Sequence, residues 1–297
     1  MGRRTGRPIY EVDGQMVADA QFAITGDETG GTPGKPLLSV GGGVNDIGPL
    51  AAAKGVVFTS PDGLVVKRLR IDNAGNLVLE PIFNVLTIPG LVGWWKADAL
   101  VLAEDAAVSS WTDSSGNNRH LLQADAAKRP VYKGAVVNGK PVVRFTADAL
   151  KAAFTLGLPA HVLIVFKGAG AYAGNEAAFD GAMGDTGYYF THVDGMQMLG
   201  PVYGPRVVTT TREWHLHEVL FNGPGSEIRV DGGAPTIGPT TGSGAMGGLT
   251  LGVNGNGTTN FFNYDVAEIL VFNRVLATGD RDDLEAYMGT KYGLVVV

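Results

Sequence analysis

The stretch FFNYDVAEILVFNRVLATGDRDDLEAYMGTKYG, Phe261 to Gly293, decides the fold. From Val266 to Val275 the residues at both alternating phases are mostly apolar, so an extended segment there is covered on both faces, as in a strand inside a layered sheet. The pattern then changes period. Thr278 is placed to cap a helix, Asp280, Asp282 and Asp283 sit in its electropositive first turn, Leu284, Tyr287 and Met288 form one stripe, and Lys291 with Gly293 closes it. A core strand followed by one short amphipathic helix is the prediction.

Strand AEILVFNRVL followed by helix LEAYMGTKYG resembles the C-terminal signature of the concanavalin A-like lectin/glucanase family, the laminin-G-like jelly rolls. A second set of residues agrees. GWWKADAL from Gly93, WTDSSGNNRHLLQ from Trp111, KRPVY from Lys128 and NGKPVVRFTAD from Asn138 resemble the successive N-terminal pieces of the same domain, in order. The resemblance implies an all-β fold, an antiparallel jelly-roll sandwich with one C-terminal helix, over roughly the last two thirds of the chain. Many functions are carried on this fold, so function has to be argued from sites.

The 297 residues, 45% hydrophobic, suffice for one large β domain and a smaller unit. With no Cys, disulfide staples, thiolate metal sites and cysteine nucleophiles are excluded. A net charge of −6 disfavours a broad nucleic-acid surface. No apolar run reaches the roughly twenty residues of a membrane helix, and the first residues lack the apolar core of a signal peptide.

Three units are expected: an extended attachment arm at 1–54, a small β module with linker at 55–88, and the sandwich at 89–297. The arm is rich in Gly and Pro, carries Arg3, Arg4 and Arg7 ahead of its first acid, and shows one short strand at Gln21 to Ile24. In GVVFTSPDGLVVKRLRIDNAGNLVLEPI, Gly55 to Ile82, the turn residues Pro61-Asp62-Gly63 and Asn73 to Asn76 separate three strands. That string resembles a short module of phage tail-fibre and other virion proteins. Phe83 to Pro89 reads as a linker. Beyond Leu91, strands are expected at Pro141 to Thr146, Val162 to Lys167, Tyr188 to His192, Glu213 to Phe221, Glu227 to Val230, Leu249 to Val253 and Val266 to Phe272. Turn pairs such as Asn138-Gly139 and Asp231-Gly232 punctuate them.

Glucanases of the resembling family carry a Glu-x-Asp-x-Glu strand, and this chain has no such triplet. Asp265 and Glu268, three apart, fall on opposite faces of a regular strand, and Glu268 is expected to be a structural carboxylate held by Arg or backbone amides. His215 and His217 share a face, a start for a zinc site, but two ligands are too few and the alternation fits a half-exposed strand. His120, His161 and His192 read as surface or packing histidines, and Trp94, Trp95 and Trp214 as core.

The candidate ligand-binding residues are Asp113 and Asn117 in the polar loop after Trp111, and Asn254, Asn256 and Asn260 in the Gly-rich stretch before the last strand. Asp113 and Asn117 supply two oxygens where calcium wants six or more, so no cofactor is expected and the loop serves as a structural corner. The resemblances together imply a non-enzymatic phage virion protein without a signal peptide. Its arm would join other virion proteins, in a homo-oligomer expected to be a trimer, and its lectin-like domain would meet a host glycan. The alternatives are a decoration or head-fibre protein with no glycan ligand, and a glycan hydrolase or lyase on the same fold.

Overall fold

The computed structural model describes residues 83–297 apart from 170–173, 183–186, 193–194, 200–202, 210–211 and 240–244, together with the backbone of six short strands between residues 22 and 81. Arg3, Arg4, Arg7 and the side chain of His192 lie outside the described residues. The chain divides into two compact units, Met1–Ile82 and Phe83–Val297.

The first unit contains two three-stranded antiparallel sheets. One joins β1 (Phe22–Ile24), β2 (Leu37–Val40) and β3 (Gly43–Asp46), in that order. Where the sequence reading places one short strand in the arm, the described backbone has three, with β2 pairing antiparallel with β3. The other sheet joins β4 (Val56–Thr59), β5 (Val66–Ile71) and β6 (Leu77–Pro81), as the two turn clusters require.

The second unit is a sandwich of two eight-stranded sheets. Its strands are β7 (Leu91–Lys96), β8 (Ser110–Trp111), β9 (Leu121–Leu122), β10 (Val131–Val137), β11 (Lys140–Phe145), β12 (Leu150–Ala153), β13 (Ala160–Gly168) and β14 (Ala177–Asp180). They continue as β15 (Tyr188–His192), β16 (Gly195–Leu199), β17 (Tyr203–Val208), β18 (His215–Phe221), β19 (Ser226–Val230), β20 (Thr236–Gly238), β21 (Gly248–Leu251) and β22 (Tyr264–Phe272). Helix α1 (Thr278–Tyr292) follows. Sheet one runs β10-β11-β22-β13-β18-β19-β20, and β7 pairs with the far half of β22, so two strands share one side of it. Sheet two runs β17-β16-β15-β14-β21-β12-β9-β8.

Alternation sends Phe145, Ile164, Phe166, Val219, Ile269 and Val271 of sheet one into the space between the sheets, against Leu150, Tyr189, Met196 and Leu251 of sheet two. Trp95 is fully buried there, its ring lying where a Cβ on Gly93 would stand. Leu163, Val165, Leu216, Leu270 and Phe272 point the other way and form a second core under Leu284, Met288 and Tyr292 of α1. The central strands of sheet one are thus covered on both faces, which is why β22 is apolar at both phases.

Three local expectations are corrected. Helix α1 has Ala277 rather than Thr278 at its N-cap, with no side-chain cap, although Gly293 ends it in the left-handed conformation (φ 69°). Phe83 to Pro89 is no linker: Val85 and Ile88 are buried in the second core and Phe83 packs on Tyr287 with ring centroids 5.6 Å apart. The third concerns the faces of β22. Its register with β13 shifts between Val165 and Phe166, so one extra residue lies on β22 at Ala267. Val266 and Ile269, three apart, both face the inter-sheet core. Asp265 and Glu268 accordingly share the outer face, where an unbulged strand would have put them on opposite faces.

Candidate functional site

On that outer face each carboxylate of β22 is saturated by protein donors. Asp265 accepts two hydrogen bonds from the Arg144 guanidinium, at 2.7 and 2.8 Å. Glu268 is fully buried. Its Oε1 accepts from the Trp94 indole N–H at 2.5 Å and the Tyr287 hydroxyl at 3.1 Å, and its Oε2 from the Lys291 ammonium at 2.7 Å and the Tyr292 hydroxyl at 2.6 Å. A structural carboxylate is what the sequence predicts, but its partners are Lys, Tyr and Trp side chains instead of Arg or backbone amides. Burial and the adjacent Glu268 charge push both tyrosine hydroxyls above their usual range.

The two sets of sequence-predicted ligand residues are not brought together. Asp113 is buried and its carboxylate is taken up within its own corner, accepting from the backbone N–H groups of Trp94, Ser115 and Arg119 and from the Ser115 hydroxyl. Asn117 Nδ2 donates to the carbonyls of Leu91 and Val92. This corner lies beside the part of β7 that pairs with the C-terminal end of β22. The loop bearing Asn254, Asn256 and Asn260 leads into the N-terminal end of the same strand. Asn254 is buried, donating to Thr259 Oγ1 and accepting from the Thr258 and Thr259 amides, while Asn256 and Asn260 are exposed.

His215 and His217 share the inner face of β18, but this is no half-exposed strand, because sheet two covers it. His217 is fully buried and its Nδ1 is bonded to the Tyr189 hydroxyl at 2.7 Å, a polar link between the sheets. Burial lowers its pKa to about 3. His215 Nδ1 meets Asp231 Oδ2 at 2.6 Å. Among the described residues no group of three His, Cys, Asp or Glu side chains is arranged to hold a metal ion.

The feature that sequence reasoning misses is a groove of about 500 Å³ on the outer side of sheet one, at the C-terminal end of α1. It is lined by Asn138 of the β10–β11 turn, by Glu213, Trp214 and His215 at the start of β18, by Asp231, and by the chain after Tyr292. Two type I′-like turns shape it: Asn138-Gly139 (φ 45° and 70°) and Asp231-Gly232 (φ 52° and 73°). Trp214 is half-buried, with its inner edge against the second core. Glu213 is exposed, and among the described residues its carboxylate and the Trp214 indole N–H make no hydrogen bond. Asp231 is fixed from two sides, by His215 and by the Leu216 amide at 2.8 Å. Among the described residues the groove therefore offers the Trp214 ring, the Asn138 amide, the unbonded Glu213 carboxylate and the positioned Asp231 carboxylate, and its described lining includes no Lys or Arg.

No family model matches this chain, and no curated protein matches it. Solved structures do. Domain 4 of AbnA, a GH43 extracellular arabinanase from Geobacillus stearothermophilus in complex with arabinotriose, aligns with a TM-score of 0.49 and 13% identity, over 66% of this chain and 98% of that one. Trypanosoma rangeli sialidase in complex with sialic acid aligns with a TM-score of 0.44 and 13% identity, over 86% of this chain and 48% of that one. A mutant of HCR/D aligns with a TM-score of 0.45 and 10% identity, over 65% of this chain and 52% of that one. The chain thus spans about half the length of the sialidase it matches. Against the expectation of a non-enzymatic protein, the first two of these neighbours are a domain of an arabinanase and a sialidase.

Proposed function

We propose that this chain is a carbohydrate-binding protein whose sandwich takes a glycan in the groove between Asn138, Glu213, Trp214 and Asp231. The observation that carries the reading is the company Trp214 keeps: a half-buried indole fixed by packing, beside polar groups that converge on one concavity. A sugar ring presents an apolar C–H face and a rim of hydroxyls, which an aromatic plane and flanking carboxylate and amide oxygens complement. Two structural neighbours are complexes with arabinotriose and with sialic acid, in keeping with the reading. The test is a glycan panel titrated against the full chain and its Trp214→Ala variant. Saturable binding that the variant loses by tenfold or more, with the melting transition within a few degrees, supports the groove. Binding that survives in the variant refutes it.

A second reading, glycan hydrolysis at the same groove, rests on Glu213 and Asp231 both lining it. Release of reducing ends by the wild type and not by Glu213→Gln supports it; no release from any bound glycan refutes it.

The finer setting is also proposed: a phage particle surface, with the residues before Phe83 joining other virion proteins in a homo-oligomer and the sandwich meeting a host glycan. The resemblance of the Gly55 to Ile82 string to tail-fibre modules is its support, and immunogold labelling of purified particles tests it.

A further inference from the structure

Beneath α1, outside the groove's lining, the structure holds two glutamates against each other. Glu218 of β18 is 2% exposed and Glu285 of α1 is 6% exposed, with their carboxyl groups within hydrogen-bonding reach. Neither oxygen of Glu218, nor Oε1 of Glu285, has a hydrogen-bond partner placed against it. His161 of β13, 2% exposed, brings its Nε2 to 3.5 Å from Glu218 Oε2. Its Nδ1 accepts from the Leu276 amide at 3.4 Å, which puts the ring proton on Nε2, facing the glutamate. From α1 itself, Arg281 Nε stands 3.6 Å from Glu285 Oε1, with Asp282 beside it. From β19, Arg229 and Glu227 bond each other at 3.2 Å and bear electrostatically on Glu218. Asp231, in the turn after β19, is engaged by His215, and Gly232 next to it approaches Glu285 Oε2.

Two buried carboxylates in contact cannot both stay ionised without a cation between them, because water is too far away to screen their repulsion. Arg281 is the nearest full charge, and it reaches one of the two. The remaining choice is a proton or a metal ion. The proton on His161 Nε2 occupies the direction a metal would need, and no three-ligand arrangement exists among the described residues.

We propose that Glu218 and Glu285 hold a single shared proton that latches α1 onto sheet one, and that losing it loosens the helix and uncovers the second core. Burial, then the Glu218 contact, push Glu285 up to about 8, and burial pushes Glu218 up as well. Both carboxyls have ordinary values near 4.5 when the chain is unfolded. The folded protein therefore binds the proton more tightly than the unfolded one. Its contribution is fully present below about pH 4.5, declines as pH rises, and is lost once pH passes about 8. Leu163, Val165, Leu216 and Leu270 are the apolar residues that α1 would cease to cover.

The experiment uses the full chain from pH 7 to 9.5, above the range in which the buried histidines titrate in the unfolded chain, reading the melting temperature and the fluorescence of a dye that binds exposed apolar surface. Wild type is expected to lose several degrees of melting temperature over this range, and to gain dye fluorescence with a midpoint near pH 8. Glu285→Gln keeps a neutral hydrogen-bonding group at every pH, so its profiles should be flat and it should melt above wild type at pH 9. Glu218→Gln makes the same prediction from the opposite element and stands in if the first variant does not fold. Glu227→Gln, outside the pair, should keep the wild-type profile. Parallel profiles for wild type and both pair variants overturn the proposal. So does a rise in wild-type melting temperature at pH 8 on adding zinc or manganese that Glu285→Gln abolishes, which would make a metal ion the occupant.

Discussion

Replacing Glu268 by Ala strands four donors beneath α1: the Trp94 indole, the Tyr287 and Tyr292 hydroxyls and the Lys291 ammonium. Lys291 retains Asp98 at 3.0 Å, nearer the surface, so its charge is not wholly abandoned. Breaking a buried ion pair from one side costs about 3–5 kcal/mol, because the other charge stays buried and unmet. For a domain of this size each kcal/mol moves the melting temperature by about 2–4 °C, so a fall of roughly 6–20 °C is expected. Glu268→Gln should lose less, since its carbonyl still accepts while its amide opposes the donors. The decisive assay is a double-mutant cycle in denaturant with Glu268→Met, Lys291→Met and the pair. Removing both charges together should cost less than the two separate losses combined, by about 1–3 kcal/mol. A Glu268→Ala loss below about 1 kcal/mol, or a cycle that closes additively, would show that this network does not fasten the helix.

On the acid side, burial lowers His161 to about 4 and His217 to about 3, against 6.5 in the unfolded chain. A depressed folded value means that the unfolded state takes the proton first. Their contribution is thus present above about pH 6.5 and lost as pH falls toward 4 and then 3. The melting temperature should drop below pH 6.5, and His217→Leu should shallow that limb; equal slopes in the two proteins would refute the assignment. At the corner, Asp113→Ala leaves four donors unmet and should destabilise the sandwich by about 2–4 kcal/mol, read by chemical denaturation. Glycan affinity per folded molecule should not change, and loss of binding at full stability would make Asp113 a ligand residue.

Much of the architecture is legible because burial on two sides leaves a mark in the residues. β22 is apolar at both phases, and Asn138-Gly139 and Asp231-Gly232 announce their turns through the positive φ they must adopt. What escaped has physical reasons. An inserted residue at Ala267 leaves no compositional trace, so the faces of Asp265 and Glu268 cannot be read from spacing. β14, β16 and β17 contain Ala177, Gly195, Gly204 and Pro205, which blur period-two alternation. His215 and His217 alternate with Leu216 as surface residues would, yet His217 is fully buried and bonded to Tyr189 of the second sheet. The groove escaped entirely, because Asn138, Trp214 and Asp231 come from separate turns that meet only in the folded chain.

The place of β22 has a consequence for synthesis. It hydrogen-bonds β13 on one side and both β11 and β7 on the other, so sheet one has a gap through its middle until residues 264–272 are available. Nearly all of the sandwich must leave the ribosome before its own centre arrives. The earlier strands wait meanwhile with unpaired edges, and contacts so distant in sequence make for slow closure. A ribosome stalled before Tyr264 should hold a chain that chaperones bind and proteases cut. Adding the one remaining strand and its helix should convert it to a resistant fold in a single step.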